Sequence, residues 1–257
     1  MLRRGAGREP AEPAPRPRVS IVIPARDEAE AVTAVLAGLA RSVRHPAEVL
    51  VVVDTPADPT VAAVRACVRA ELPVRCLVSA YPGGPAGAIR WGFENARAPV
   101  VVVTMADGSD DASQIDELAD LVEAGAVVAA ASRYARGGRQ VGAPLVKRSL
   151  SWLAGRSLQA LARPGTCDPT NSFKAYSAEF ARCAEIESRR GFTIGIELTA
   201  KARRMRLPVT EVPTTWRERG SGRSHFRLIR WLPGYLRWYL YCFGGSLTDP
   251  RPEGTGA

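Results

Sequence analysis

Val19-Ser20-Ile21-Val22-Ile23-Pro24-Ala25-Arg26-Asp27-Glu28 is the stretch from which the fold is read. A short apolar run stopped by a proline has the length and composition of a strand buried on both faces. Asp27 and Glu28 then stand just beyond its carboxyl end. Downstream, Val32, Val35, Leu36 and Leu39 recur at helical spacing. Strand and helix in succession set a rhythm that the chain repeats.

Glu48 to Val53 reads as the second strand, followed by a helix from about Thr60 to Ala70. Val74 to Ser79 is the third strand, and Gly83 to Ala96 is a glycine-rich turn entering a helix. Pro99 to Thr104, with four consecutive valines, is the fourth strand. Ile115, Leu118, Leu121 and Val122 mark the next helix, and Ala126 to Ala131 the fifth strand. Such alternation implies right-handed crossovers and an α/β fold with a mainly parallel central sheet flanked by helices. Ligands bind such sheets at the carboxyl ends of the strands, here after Ile23, Val53, Ser79, Thr104 and Ala131. The second half is less regular. Helices are expected over Ser149–Leu161 and Thr193–Met205, with an edge strand over Pro208–Pro213.

The 257 residues suit one large α/β domain, and 46% hydrophobic against 24% charged residues is an ordinary globular balance. A formal charge of +9, from 35 Lys+Arg and 26 Asp+Glu, favours anionic partners. The five cysteines are scattered without a CxxC pair or Cys/His cluster, which argues against zinc. Their odd number, with no secretory signal at the start of the sequence, suggests reduced thiols and a cytoplasmic location. Residues 1–18, rich in Pro, Arg, Ala and Gly, read as a disordered leader, and 248–257 as a disordered tail.

Three strand ends carry acids: Asp27 and Glu28, then Asp54 and Asp58, then Asp107, Asp110 and Asp111. Taken singly, Asp58 and Asp111 read as helix N-caps. Clustered on one sheet edge, carboxylates suit ribose hydroxyls, base N–H groups or a metal holding a diphosphate.

These motifs, in this order, resemble family 2 glycosyltransferases, which have the GT-A fold. Ile23-Pro24-Ala25-Arg26-Asp27-Glu28 is similar to their IPxxNE, and residues 53–60 (VDTPADPT) to VDDxSxDGT. Gly84 to Phe93 resembles GxGxAxxxGF, and Ala131-Ser132-Arg133-Tyr134 resembles GSRY. Residues 167–176 (CDPTNSFKAY) resemble xDPTSGFRAY, and 216–226 (WRERGSGRSHF) resemble FxxRxxGxSKL. The last two point to the branch with dolichyl-phosphate mannosyltransferases and polyprenyl-phosphate sugar transferases. A GT-A domain is thus expected over 19–225.

The resemblance implies roles. Pro24, Glu28 and Asp54, with Arg26 and Gly84, would hold the donor nucleotide. Asp107 would sit near the diphosphate, and Arg133 and Arg219 would face donor or acceptor phosphates, for which a planar guanidinium fork is suited. The implied chemistry is an inverting, in-line displacement at the anomeric carbon of a GDP- or UDP-linked sugar.

Departures from the pattern bear on the metal. The family's DAD reads Met105-Ala106-Asp107, and a later Gln is Ser109. A thioether is a poor ligand for Mg2+ or Mn2+. A divalent cation would therefore rest on Asp107, with Asp110 or Asp111 compensating, be shared with substrate phosphates, or be absent.

A lipid-phosphate acceptor is already ionised and needs cations rather than a base. Lys147, Arg148, Arg219 and Arg223, with Ser224, are the acceptor-side candidates. A sugar hydroxyl would need a carboxylate base, for which Asp168 and Glu197 are the candidates. Lys201 to Arg237 carries ten Lys/Arg against two Glu, interleaved with Trp216, Phe226, Trp231 and Tyr235. Residues 226–247 are therefore expected to form amphipathic helices at a membrane interface, interrupted by arginines and broken by Pro233. The function expected is sugar transfer to a polyprenyl-phosphate or similar lipid-linked acceptor by a peripheral protein at the cytoplasmic membrane face. The alternatives are a soluble acceptor or a non-catalytic nucleotide-sugar binding protein. No nucleic-acid module is recognisable.

Overall fold

The computed structural model describes residues 16–67, 72–142, 145–218 and 228–244, without the side chains of 145–147 and 228–230. In chain order the elements are β1 (Val19–Pro24), α1 (Ala29–Ser42), β2 (Ala47–Val53), α2 (Pro59–Ala66), β3 (Val74–Val78), α3 (Pro85–Asn95), β4 (Val100–Val103), α4 (Ile115–Glu123) and β5 (Val128–Ser132). There follow β6 (Arg139–Val141), α5 (Leu145–Leu161), β7 (Lys174–Ser177), α6 (Ala178–Cys183), α7 (Ile194–Arg204), β8 (Val209–Pro213), β9 (Thr215–Arg217) and α8 (Leu228–Tyr241). Among the described residues the main sheet has seven strands in the order β3-β2-β1-β4-β7-β5-β8, with β6 and β9 as a separate parallel pair.

The valine-rich strands are buried on both faces, and their residues alternate between two cores. Ile21, Ile23, Val49, Val51, Val100 and Val102 pack under α1, α2 and α4 through Val32, Leu36, Val64 and Leu118. Val22, Leu50, Val52, Val101 and Val103 face α3 and α7 through Ala88, Ile89, Phe93 and Leu198. At Gly92 a Cβ would come within 2.3 Å of Val22 Cγ1, so α3 lies on β1 closer than any side chain would allow. A third cluster joins Leu158 of α5, Ile196 and Ala200 of α7, and Trp238 and Cys242 at the end of α8.

The parallel rhythm has one exception. β7 runs antiparallel between β4 and β5, with Lys174 opposite Val103 and Ala130. Its four residues give too short a pattern to signal a strand in the sequence. The reversal has a consequence for the site: the start of β7, and the loop that leads into it, lie at the carboxyl ends of β4 and β5. β8 pairs with β5 at the sheet edge, as expected for Pro208–Pro213.

The C-terminal segment differs from expectation. The described residues form one helix, α8, which continues through Pro233 rather than breaking there. Packing holds it on both sides of the proline. Trp231 meets Phe192 edge to face at 5.7 Å, and Trp238 is buried with its indole N–H donating to Ser188 Oγ at 3.0 Å. Arg18, grouped by composition with the leader, is tied to the domain: its N–H donates to Pro46 O at 2.7 Å, and its guanidinium pairs with Glu123. The rest of the leader through residue 15, and the tail, lie outside the described residues. Among the described residues no helix is long and apolar enough to cross a membrane.

Candidate active site

A cleft of about 1270 Å³ runs along the carboxyl edge of the sheet. Its floor is made by the loops after the strands. Pro24 ends β1 and Arg26 and Glu28 follow it, Asp54 follows β2, Gly83 and Gly84 precede α3, and Met105, Asp107 and Ser109 follow β4. Arg133 follows β5. The other end is walled by Leu150, Leu153 and Ala154 of α5 and by Trp231, Leu232, Tyr235 and Leu236 of α8. One end is polar and acidic, the other apolar and aromatic.

Local chemistry sets each loop. Asp58 does act as a cap, accepting from Thr60 N at 2.8 Å, but it also accepts from Asp27 N at 3.1 Å. Thr60 Oγ1 accepts from Glu28 N at 3.0 Å. The turn holding Arg26 and Glu28 is thereby stitched to the start of α2. Partial desolvation raises the Asp54 carboxyl above its ordinary range, and Arg26 opposes the shift. Gly83 has φ +116, and a Cβ there would lie 2.0 Å from Arg189 O, so this loop reaches the cleft only with glycine.

The loop after β4 separates its acids. Asp107 lines the cleft and accepts from Ser109 N at 3.0 Å. Asp110 turns back, accepting from Met105 N at 3.0 Å and Thr104 Oγ1 at 3.1 Å. Desolvation and the neighbouring Asp107 push its pKa up to about 7. Asp111 accepts from Ser113 N and is a cap. The sulfur-bearing Met105 stands in the cleft wall where the family pattern has an acid. Asp107 is thus the one carboxylate of this loop in the cleft wall, while Asp110 is engaged with the backbone. That donor set fits a hard cation carried in by diphosphate oxygens and not a cage built by the protein. Among the described residues no group of three or more His, Cys, Asp or Glu is placed to hold a metal.

The sequence assigns Arg133 and Asp168 separate roles, one on phosphates and the other as a base. The structure pairs them. Arg133 Nε donates to Asp168 Oδ2 at 2.7 Å, a terminal nitrogen donates to Oδ1 at 2.8 Å, and the Arg133 backbone N–H donates to Oδ2 at 3.0 Å. Asp168 is fully buried behind the cleft wall, and the Arg133 guanidinium, together with its hydrogen bonds, holds its carboxyl below the usual range against the cost of burial. A carboxylate so engaged cannot reach an acceptor hydroxyl. Glu197 is also fully buried; it accepts from Glu187 N at 2.6 Å and Ser188 N at 2.8 Å and pairs with Lys201 at 2.9 Å. Neither is placed as a base, because burial and saturation with donors keep both carboxylates out of reach of an acceptor.

Arg148 is exposed on α5 outside the cleft wall. Arg219, Arg223, Ser224 and the Lys147 side chain lie outside the described residues. Sequence patterns pass over Arg190, Glu218, Leu150 and Leu153, all of which line the cleft. Nothing local marks them; α5, the loop before α7 and the end of β9 meet only in the folded chain.

The model for the family described as glycosyl transferase family 2 matches residues 20–184. The chain is 31% identical over 232 residues to a polyprenol monophosphomannose synthase of Mycolicibacterium smegmatis, covering 86% of this chain and 85% of that protein. It is 28% identical over 213 residues to an undecaprenyl-phosphate mannosyltransferase of Micrococcus luteus, covering 80% and 86%. Among solved structures, glucosyl-3-phosphoglycerate synthase from Mycobacterium tuberculosis, crystallised with Mn2+, UDP and glucosyl-3-phosphoglycerate, superposes with a TM-score of 0.64. That match is at 17% identity over 95% of this chain and 88% of the other, and it shows the shared GT-A architecture.

Proposed function

The chain belongs to glycosyl transferase family 2 and is a glycosyltransferase, and from that premise we propose that it moves a sugar from a GDP- or UDP-linked donor to a polyprenyl-phosphate or similar lipid phosphate. The observation that carries this reading is the continuity of the cleft from the acids at the strand ends to the apolar wall between α5 and α8. One molecule with a charged phosphate and an isoprenoid tail suits the Arg133 side and the apolar side together. The names of the curated relatives agree with that acceptor.

In this reading Glu28 and Asp54 accept from the hydroxyls and N–H groups of the nucleoside, and Asp107 faces the diphosphate. A divalent cation bound by Asp107 and the diphosphate would offset the charge that develops on the leaving group. Arg133 is aimed from behind by Asp168 and offers guanidinium donors to a phosphate at the cleft wall. The acceptor phosphate is its own nucleophile, so the lack of a placed base at Asp168 or Glu197 is consistent with the chemistry. Displacement in line at the anomeric carbon inverts its configuration.

Exposed leucines on both walls support peripheral attachment to a membrane; that the face is the cytoplasmic one rests on the cysteine usage alone. Leu150 and Leu153 on α5, and Leu232, Leu236 and Leu240 on α8, all show large exposed side chains. The test is transfer of labelled sugar from GDP-mannose and UDP-glucose to polyprenyl phosphate in vesicles, with an Asp107→Ala control. A lipid-linked product that the control abolishes supports the reading. Transfer only to water-soluble acceptors, or nucleotide binding without product, overturns it.

A further inference from the structure

Lys174 opens the reversed strand β7 and is fully buried. Its Nζ lies 3.3 Å from Asp168 O and 3.2 Å from Pro169 O, and it also donates to Asn171 O. An ammonium has three N–H donors and no acceptor, so three carbonyls of one turn match it in number. The same turn is pinned on its other sides. Glu211 of β8 accepts from Thr166 Oγ1 at 2.9 Å and Cys167 N at 2.7 Å, and Asn171 Nδ2 donates to Ala131 O at 2.8 Å. Gly195 of α7 backs it so closely that a Cβ would lie 3.0 Å from Asn171 O and 3.5 Å from Lys174 Nζ.

The front of this turn is functional surface. Thr170, Asn171 and Ser172 line the cleft, and Asp168 holds Arg133. We propose that Lys174 is a positioning residue: as an ammonium it clamps the 168–171 turn and, through Asp168, fixes the aim of Arg133 and of the 170–172 segment toward the acceptor phosphate. The inference rests on the reading of that wall as the acceptor side.

The clamp is sensitive to pH. Burial draws the Lys174 pKa down to about 7; Arg133 at the end of β5 acts in the same direction, while Asp168 of the turn, Glu211 of β8 and Asp110 of the loop after β4 oppose. A neutral amine keeps two donors for three carbonyls and turns a lone pair toward the third. Acceptor binding therefore weakens as the pH rises through that range. Arginine, which stands at the matching place in the family motif that residues 167–176 resemble, stays charged throughout.

The test compares the full-length wild type, Lys174→Arg and Lys174→Met, each assayed for transfer from a donor the wild type accepts to polyprenyl phosphate in vesicles between pH 6 and 9. Displacements of an ångström at a reacting site are worth large rate factors, and we expect the wild-type acceptor KM to rise about tenfold across this range. Lys174→Arg should show a flat acceptor KM, and Lys174→Met a high one at every pH. Nucleotide affinity by calorimetry should be the same in all three. A wild-type pH rise that persists in Lys174→Arg overturns the proposal, as does a folded Lys174→Met with wild-type KM. If Lys174→Met does not fold, the wild type and Lys174→Arg decide alone. If the wild type transfers to no lipid acceptor, the functional reading falls and the clamp is judged separately, by amide exchange of residues 168–172 in the wild type and Lys174→Arg. Greater protection in Lys174→Arg than in the wild type at pH 8.5, with equal protection at pH 6, supports it; equal protection at both refutes it.

Discussion

Arg133 in the cleft wall and Asp168 just behind it form a two-point ion pair, with Nε to Oδ2 at 2.7 Å and a terminal nitrogen to Oδ1 at 2.8 Å. Both residues are buried, so the pair is shielded from water and salt. Desolvation offsets much of the attraction between the two charges, yet removal of either side chain leaves the other buried without its counter-ion.

Asp168→Ala leaves a buried guanidinium without its counter-ion and is expected to cost about 3–5 kcal/mol of unfolding free energy. Denaturant titration measures this. A double change, Arg133→Met with Asp168→Leu, should recover much of the stability and none of the transfer. If Asp168→Ala unfolds like the wild type, the pair does not constrain the fold.

The same pair sets an acid limit. The folded-state pKa of Asp168 is depressed below its ordinary value of 3.8. Its contribution is present above the unfolded value and is lost as pH falls through the folded one. Melting temperature should therefore drop below about pH 4 in the wild type. The Arg133→Met, Asp168→Leu protein should show a shallower drop; equal acid slopes would remove Asp168 as the cause.

Lys174 acts on stability with the opposite sign from its action on activity. Its folded-state pKa, about 7, lies below the ordinary 10.5, so the unfolded chain binds the extra proton between these values. Stability from this group then rises with pH over that window while acceptor use falls. Loss of activity between pH 7 and 8.5 should occur with no fall in melting temperature attributable to Lys174, checked by comparing melting with Lys174→Arg.

Met105→Asp adds a hard oxygen to a cleft that presents Asp107. The Mn2+ concentration for half-maximal transfer should fall, about tenfold or more, since carboxylate count tunes the affinity of oxygen sites. Titration of EDTA-treated protein with Mn2+ provides the check. An unchanged midpoint would mean that residue 105 does not face the cation.

Leu153→Glu and Leu236→Glu place charge on the two apolar walls without touching the strand ends. Both should raise the acceptor KM and lower vesicle binding while leaving nucleotide affinity as in the wild type. A change in nucleotide affinity instead would show that the two ends of the cleft are not separable.

Gly38 and Gly92 sit in helices but differ in surroundings. A Cβ at Gly38 meets nothing within 4 Å, so Gly38→Ala should stabilise by about 0.5–1 kcal/mol. At Gly92 it would meet Val22, and Gly92→Ala should destabilise by about 1–3 kcal/mol through overpacking of α3 on β1. Thermal melts of the two variants should move in opposite directions.

The parallel half of the fold was legible because its signals are local. Val19–Pro24 and Val100–Val103 are apolar runs buried on both faces, and their helices carry 3.6-residue stripes. The acids after β1, β2 and β4 could be assigned to one edge, since parallel strands put all their carboxyl ends together. The sequence by itself thus determined the parallel part of the sheet, its edge and the acids that stand there. Only the tertiary structure decided that β7 runs backward, because a four-residue strand pairs by shape and hydrogen bonding rather than by periodicity. That reversal brings Asp168 to Arg133 and Lys174 to the turn behind them, turning an expected base into a buried counter-ion. Packing between α5, α7 and α8 likewise carried a helix through Pro233 and set Leu153 and Leu236 on the walls of one cleft, a meeting of distant segments that no local spacing encodes.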